Sequence, residues 1–62
     1  MLEVIEKMLK DIQRTIKDTN DLVLNGTIGD MERYRFLMGR LEGLKFSEEV
    51  IRRNLKDYSE DL

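Results

Sequence analysis

The sequence contains no cysteine, no histidine and no proline. Without cysteine there can be no disulfide and no thiolate metal site, and without histidine any metal would have to rest on oxygen ligands alone. Nucleophilic catalysis needs a hydroxyl, thiol or amine beside a base. With Thr15, Thr19, Thr27, Ser47 and Ser59 as the hydroxyls and no imidazole, no credible pair exists. Paired carboxylates such as Glu48–Glu49 and Glu60–Asp61 are common, but on helical faces without a pocket they read as solvated charge. No EF-hand loop and no phosphate-binding glycine loop is present. The expectation is therefore a non-enzyme with no cofactor and no metal.

A strong charge of either sign is also missing. Eleven basic against thirteen acidic residues leave a net charge of -2 over 62 residues, so no global field draws the chain to nucleic acid or an anionic membrane. Long apolar runs are absent as well: Met1 to Lys10 is broken by Glu3, Glu6, Lys7 and Lys10, which fits neither a secretory signal nor a membrane span. A chain this short buries only about 60% of the surface it exposes when unfolded. A core of that size rarely supplies more than about 3–5 kcal/mol. With disulfides and metals closed off, association is the remaining route to stability.

What is there is helical periodicity. Turn residues cluster once, at Asn25-Gly26-Thr27-Ile28-Gly29-Asp30, and divide the chain into helix 1 over about 2–25, a turn over about 26–29 and helix 2 over about 30–60. In helix 1, Leu2, Ile5, Leu9, Ile12, Ile16, Thr19 and Val23 step by three and four residues, as in a coiled-coil seam. In helix 2 the row is Tyr34, Leu37, Leu41, Leu44, Glu48, Ile51, Leu55, Tyr58 and Leu62, interrupted by Glu48. Gly26 suits the left-handed end of helix 1, and Asp30, or else Thr27, suits the N-cap of helix 2. Ser47 with Phe46 before it could open a new helix, but the unbroken phase and the Glu48–Arg52 and Glu49–Arg53 spacing favour one helix. Glu3–Lys7 and Glu6–Lys10 have the same favourable order in helix 1.

The fold expected is all-α, an antiparallel two-helix hairpin with unequal arms, packed in coiled-coil fashion and completed by oligomerisation or a partner. Its core should comprise Leu2, Ile5, Leu9, Ile12, Ile16, Val23, Tyr34, Leu37, Leu41, Leu44 and Ile51. At 1.5 Å per residue helix 2 outruns helix 1 by about two turns, so Leu55, Tyr58 and Leu62 should lack a covering helix. Helix 2 carries a second row on another face, Phe36, Gly39, Gly43, Phe46 and Val50. One neighbour can cover only one face, which calls for a further body. Glycine inside a helix costs about 1 kcal/mol against alanine. Gly39 and Gly43 are thus read as notches, filled by Ile16 and Ile12 of helix 1 or facing a neighbouring chain.

Lys7, Lys10, Arg14 and Lys17 form a basic stripe on helix 1. Interleaved with Glu6, Asp11 and Asp18 it reads as a solvated face, and nucleic-acid contact is not expected. The size and hairpin form are similar to plasmid-copy-number RNA-binding proteins of the Rop type, a likeness of architecture that does not carry function.

The segment from Leu24 to Leu44, with its small-residue turn at Gly26, capping Asp30, then Tyr34, Leu37, Gly39, Leu41 and the Gly43-Leu44 pair, resembles short helical proteins of tailed bacteriophages encoded among head and connector genes. The resemblance implies a virion or assembly role, located in the virion or the host cytoplasm. Helix 2 would dock on a portal, capsid or tail protein, or on copies of itself. The docking residues expected are Phe36, Gly39, Gly43, Phe46 and Val50, with Leu55, Tyr58 and Leu62 on the overhang. The alternative is a regulatory module, either a Rop-like RNA-binding dimer or a small phage inhibitor of a host enzyme.

Overall fold

Leucine, methionine, glutamate, lysine and arginine make up half of the chain, all of them good helix formers, and no proline interrupts them. A computed structural model describes residues 1–25, 29 and 31–60, with side chains through Tyr58. Helix α1 runs Leu2–Leu24 and α2 runs Met31–Glu60, and the two pack against each other as an all-α hairpin. Gly26, Thr27, Asp30 and Leu62, to which the sequence assigns turn, cap and overhang roles, lie outside the described residues.

Helix α1 opens on Met1, whose carbonyl accepts the Ile5 amide at 3.2 Å without a capping side chain. It closes on Asn25, whose amide donates to the Asp21 carbonyl at 3.0 Å. No basic residue occupies the last turn of either helix, so neither C-terminal dipole is neutralised from within. Helix α2 passes unbroken through Phe46-Ser47. There the Ser47 hydroxyl donates to the Gly43 carbonyl at 2.9 Å, turning onto its own helix instead of capping a new one. Of the i,i+4 ion pairs that the spacing predicts, Glu48–Arg52 closes, at 3.5 Å.

The Cα trace extends 50 × 16 × 13 Å, one helix thick and two wide. Such a slab has little interior. Leu9, Leu37 and Leu41 are its buried apolar side chains, at 9, 5 and 3% exposure, and Thr19 joins them at 3%. Ile5, Ile12, Ile16, Val23, Leu44 and Ile51 are half-buried around them.

Two members of the expected core are exposed. Leu2 is 57% exposed because it sits at the open end of the hairpin, and Tyr34 is 41% exposed in the first turn of α2, where no third element covers it. The glycine notches are not filled by α1 either: a Cβ on Gly39 or Gly43 would meet nothing within 4 Å. Their row is displaced from the packing row by two residues, about 200° around a helix at 3.6 residues per turn. It therefore lies on the outer side of α2, beyond the reach of Ile16 and Ile12.

Candidate docking surface

The Thr15, Thr19 and Ser47 hydroxyls are engaged locally. Thr15 Oγ1 donates to the Asp11 carbonyl at 2.9 Å, and Thr19 Oγ1 donates to the Thr15 carbonyl at 2.7 Å. Each uses the helix behind it, the usual resort of threonine within a helix. Among the described residues no cluster of three His, Cys, Asp or Glu side chains could hold a metal ion, and no helix is long and apolar enough to cross a membrane.

What the described residues do form is apolar surface. A groove of about 680 Å³ opens between the helices at the end remote from the turn. From α1 it is lined by Leu2, Ile5 and Met8, with Met1 ahead of them, and from α2 by Val50, Ile51, Asn54, Leu55 and Tyr58. Asn54 supplies its polar side chain, and that amide donates to the Val50 carbonyl at 2.8 Å, so it turns to its own backbone and leaves the groove floor apolar.

This groove corrects the expected overhang. Leu55 is half-buried and shares a lining with Met1 and Leu2, so it does not lie past the end of α1; Tyr58 borders the same groove. The reason is side-chain direction: Cβ atoms lean toward the N-terminus of their helix, which carries Leu55 back over the start of α1. Tyr58 remains 64% exposed at the rim.

A second hollow, about 440 Å³, lies near the turn, between Thr15, Asp18, Thr19 and Leu22 of α1 and Arg33, Phe36, Leu37 and Arg40 of α2. The two hollows lie on one flank of the slab. Met1, Met8, Thr15 and Leu22 repeat every seven residues along α1, as do Phe36, Gly43 and Val50 along α2. In a coiled-coil-like pair a seven-residue repeat keeps to one side. Met8 and Leu22, which are 50 and 42% exposed, fall outside the three-and-four rows. Their signal was the bare heptad from Met1.

The expected docking row divides along the same line. Phe36 borders the second hollow and Val50 lies half-buried in the first, with Gly43 between them in the same heptad row, while Gly39 and Phe46 border neither hollow. Phe36 and Phe46 stand 64 and 62% exposed. Lys7, Lys10, Arg14 and Lys17 are all exposed, on the side of α1 away from the hollows.

No family model matches the chain, and neither does any curated protein or any solved structure.

Proposed function

We propose that this chain is a non-enzymatic structural and interaction protein that docks through its long second helix onto a larger protein or onto copies of itself. The observation that carries this reading is the imbalance of α2. Its buried apolar side chains are Leu37 and Leu41, while Phe36 and Phe46 stand in solvent on either side of two glycines whose Cβ positions are empty. Glycine within a helix is costly, and a contiguous apolar patch marks a surface meant to be covered. The similarity of residues 24–44 to short helical proteins of tailed phages supports a virion or assembly setting, with a portal, capsid or tail protein as the larger component.

The test is the double variant Gly39→Leu and Gly43→Leu. Both positions have room, so helicity by circular dichroism should be kept. Association should be lost, because two leucines would hold an incoming surface away from the helix. Unchanged association would remove the notched row from consideration as the docking surface.

A further inference from the structure

We propose that a second copy of this chain covers the flank carrying the two hollows, packed face to face with its direction reversed, so that Leu22 and Phe36 of each copy enter the apolar groove of the other. This rests on the reading of the chain as a docking protein and names one occupant.

Area is the first argument. A folded monomer of 7.4 kDa should expose about 4,200 Å², whereas this chain exposes 5302 Å². The surplus, about 1,100 Å², compares with the roughly 800 Å² that each partner buries in a standard interface. The surplus is the open face of a slab without a third layer, and it is large enough for one contact with a second copy.

Self-complementarity is the second. A two-fold axis requires that one patch fit itself, so its two ends must be unlike and mutually suited. They are. The end beside the turn presents the exposed side chains Leu22 and Phe36, and the other end presents the empty groove. An axis crossing the flank at right angles to the helices lays each end over the other.

The heptad rows fix where that axis falls. Phe36 and Val50 are equally spaced about Gly43, so an axis at Gly43 brings Phe36 of one copy to Val50 of the other. On α1 the row from Met1 to Leu22 is centred beside Ile12, and the same axis brings Leu22 to Met1 and Leu2. The residues facing one another across the hollows place Gly43 level with the middle of α1, so one axis serves both rows. It also gives Gly43 a purpose: with nothing within 4 Å of its Cβ position, two α2 helices can approach closely where they cross.

Light scattering across a concentration series, with helicity recorded on the same samples, tests the assignment. The wild-type chain should be a discrete dimer. Leu22→Lys and Val50→Lys should each weaken it at least about 30-fold, the loss expected at a buried anchoring contact, while Phe46→Lys, which borders neither hollow, should leave the mass unchanged. Because the chain has no cysteine, Gly43→Cys gives a single thiol beside the axis. That variant should cross-link to dimer with a short bis-maleimide, and Lys10→Cys should not. A dimer broken by Phe46→Lys and spared by Leu22→Lys would overturn this face while leaving docking through α2 standing. A partly helical monomer at every concentration would overturn the second copy and assign the flank to a different protein. A fully helical monomer that melts cooperatively would likewise overturn the second copy, while leaving docking on a larger protein standing.

Discussion

The Thr19 hydroxyl donates to the Thr15 carbonyl at 2.7 Å, and by doing so lets a polar side chain lie at 3% exposure between two helices. Its partner is its own helix and not α2. The bond satisfies the hydroxyl without contributing to the pairing of the hairpin, because the Thr15 carbonyl is already within the helix ladder. Thr19→Val should therefore stabilise the fold, by about 0.5–1 kcal/mol, since a methyl replaces a group that only avoids a penalty. Thermal melts of the two chains at one concentration check it, and a loss of stability would mean that the hydroxyl serves a contact across the hairpin.

Leu41 and Phe46 make the opposite pair, one 3% and the other 62% exposed on the same helix. Leu41→Ala should cost about 2–5 kcal/mol, the range for truncating a buried leucine. That approaches the whole stability of a core this small, so urea titration should find the variant largely unfolded. Phe46→Ala should change the stability of the isolated hairpin by no more than about 0.5 kcal/mol. Comparable losses at both sites would show that Phe46 is covered in solution.

Glu48 stands in the packing row of α2, half-buried, with Arg52 at 3.5 Å. An i,i+4 pair of this kind is worth about 0.3–0.5 kcal/mol, less than the roughly 1.5–3 kcal/mol from fully burying a leucine. Even partial burial of leucine wins, so Glu48→Leu should raise the urea midpoint by the equivalent of about 1 kcal/mol. A lower midpoint would mean that Glu48 answers a charge beyond Arg52.

Gly39→Ala and Gly43→Ala separate helix energetics from docking. Each added methyl meets open space, so each should stabilise α2 by about 0.5–1 kcal/mol in dilute solution. Under conditions where the chain associates, Gly43→Ala should weaken the assembly if close approach occurs there. Denaturation at low and high protein concentration reads both effects.

The basic stripe of Lys7, Lys10, Arg14 and Lys17 is solvated along its length. A labelled RNA hairpin should show no saturable anisotropy change with this chain at moderate salt. Saturable binding that weakened steeply with ionic strength would reveal phosphate contacts and move the Rop-like alternative ahead.

Much of this molecule is determined by its sequence alone. The number of helices, their limits within a residue and the membership of Leu9, Leu37 and Leu41 in the packing rows follow from periodicity, from the single cluster of turn residues and from the absence of proline. Those are local properties, set within a few turns of chain. Tertiary structure alone decided that Leu2 and Tyr34 stay exposed, and that Leu55 packs into a groove with Met1 instead of overhanging it. Those outcomes depend on how each helix is rotated about its own axis and how far one slides along the other. Packing around the buried leucines sets both, and no spacing within a single helix records them.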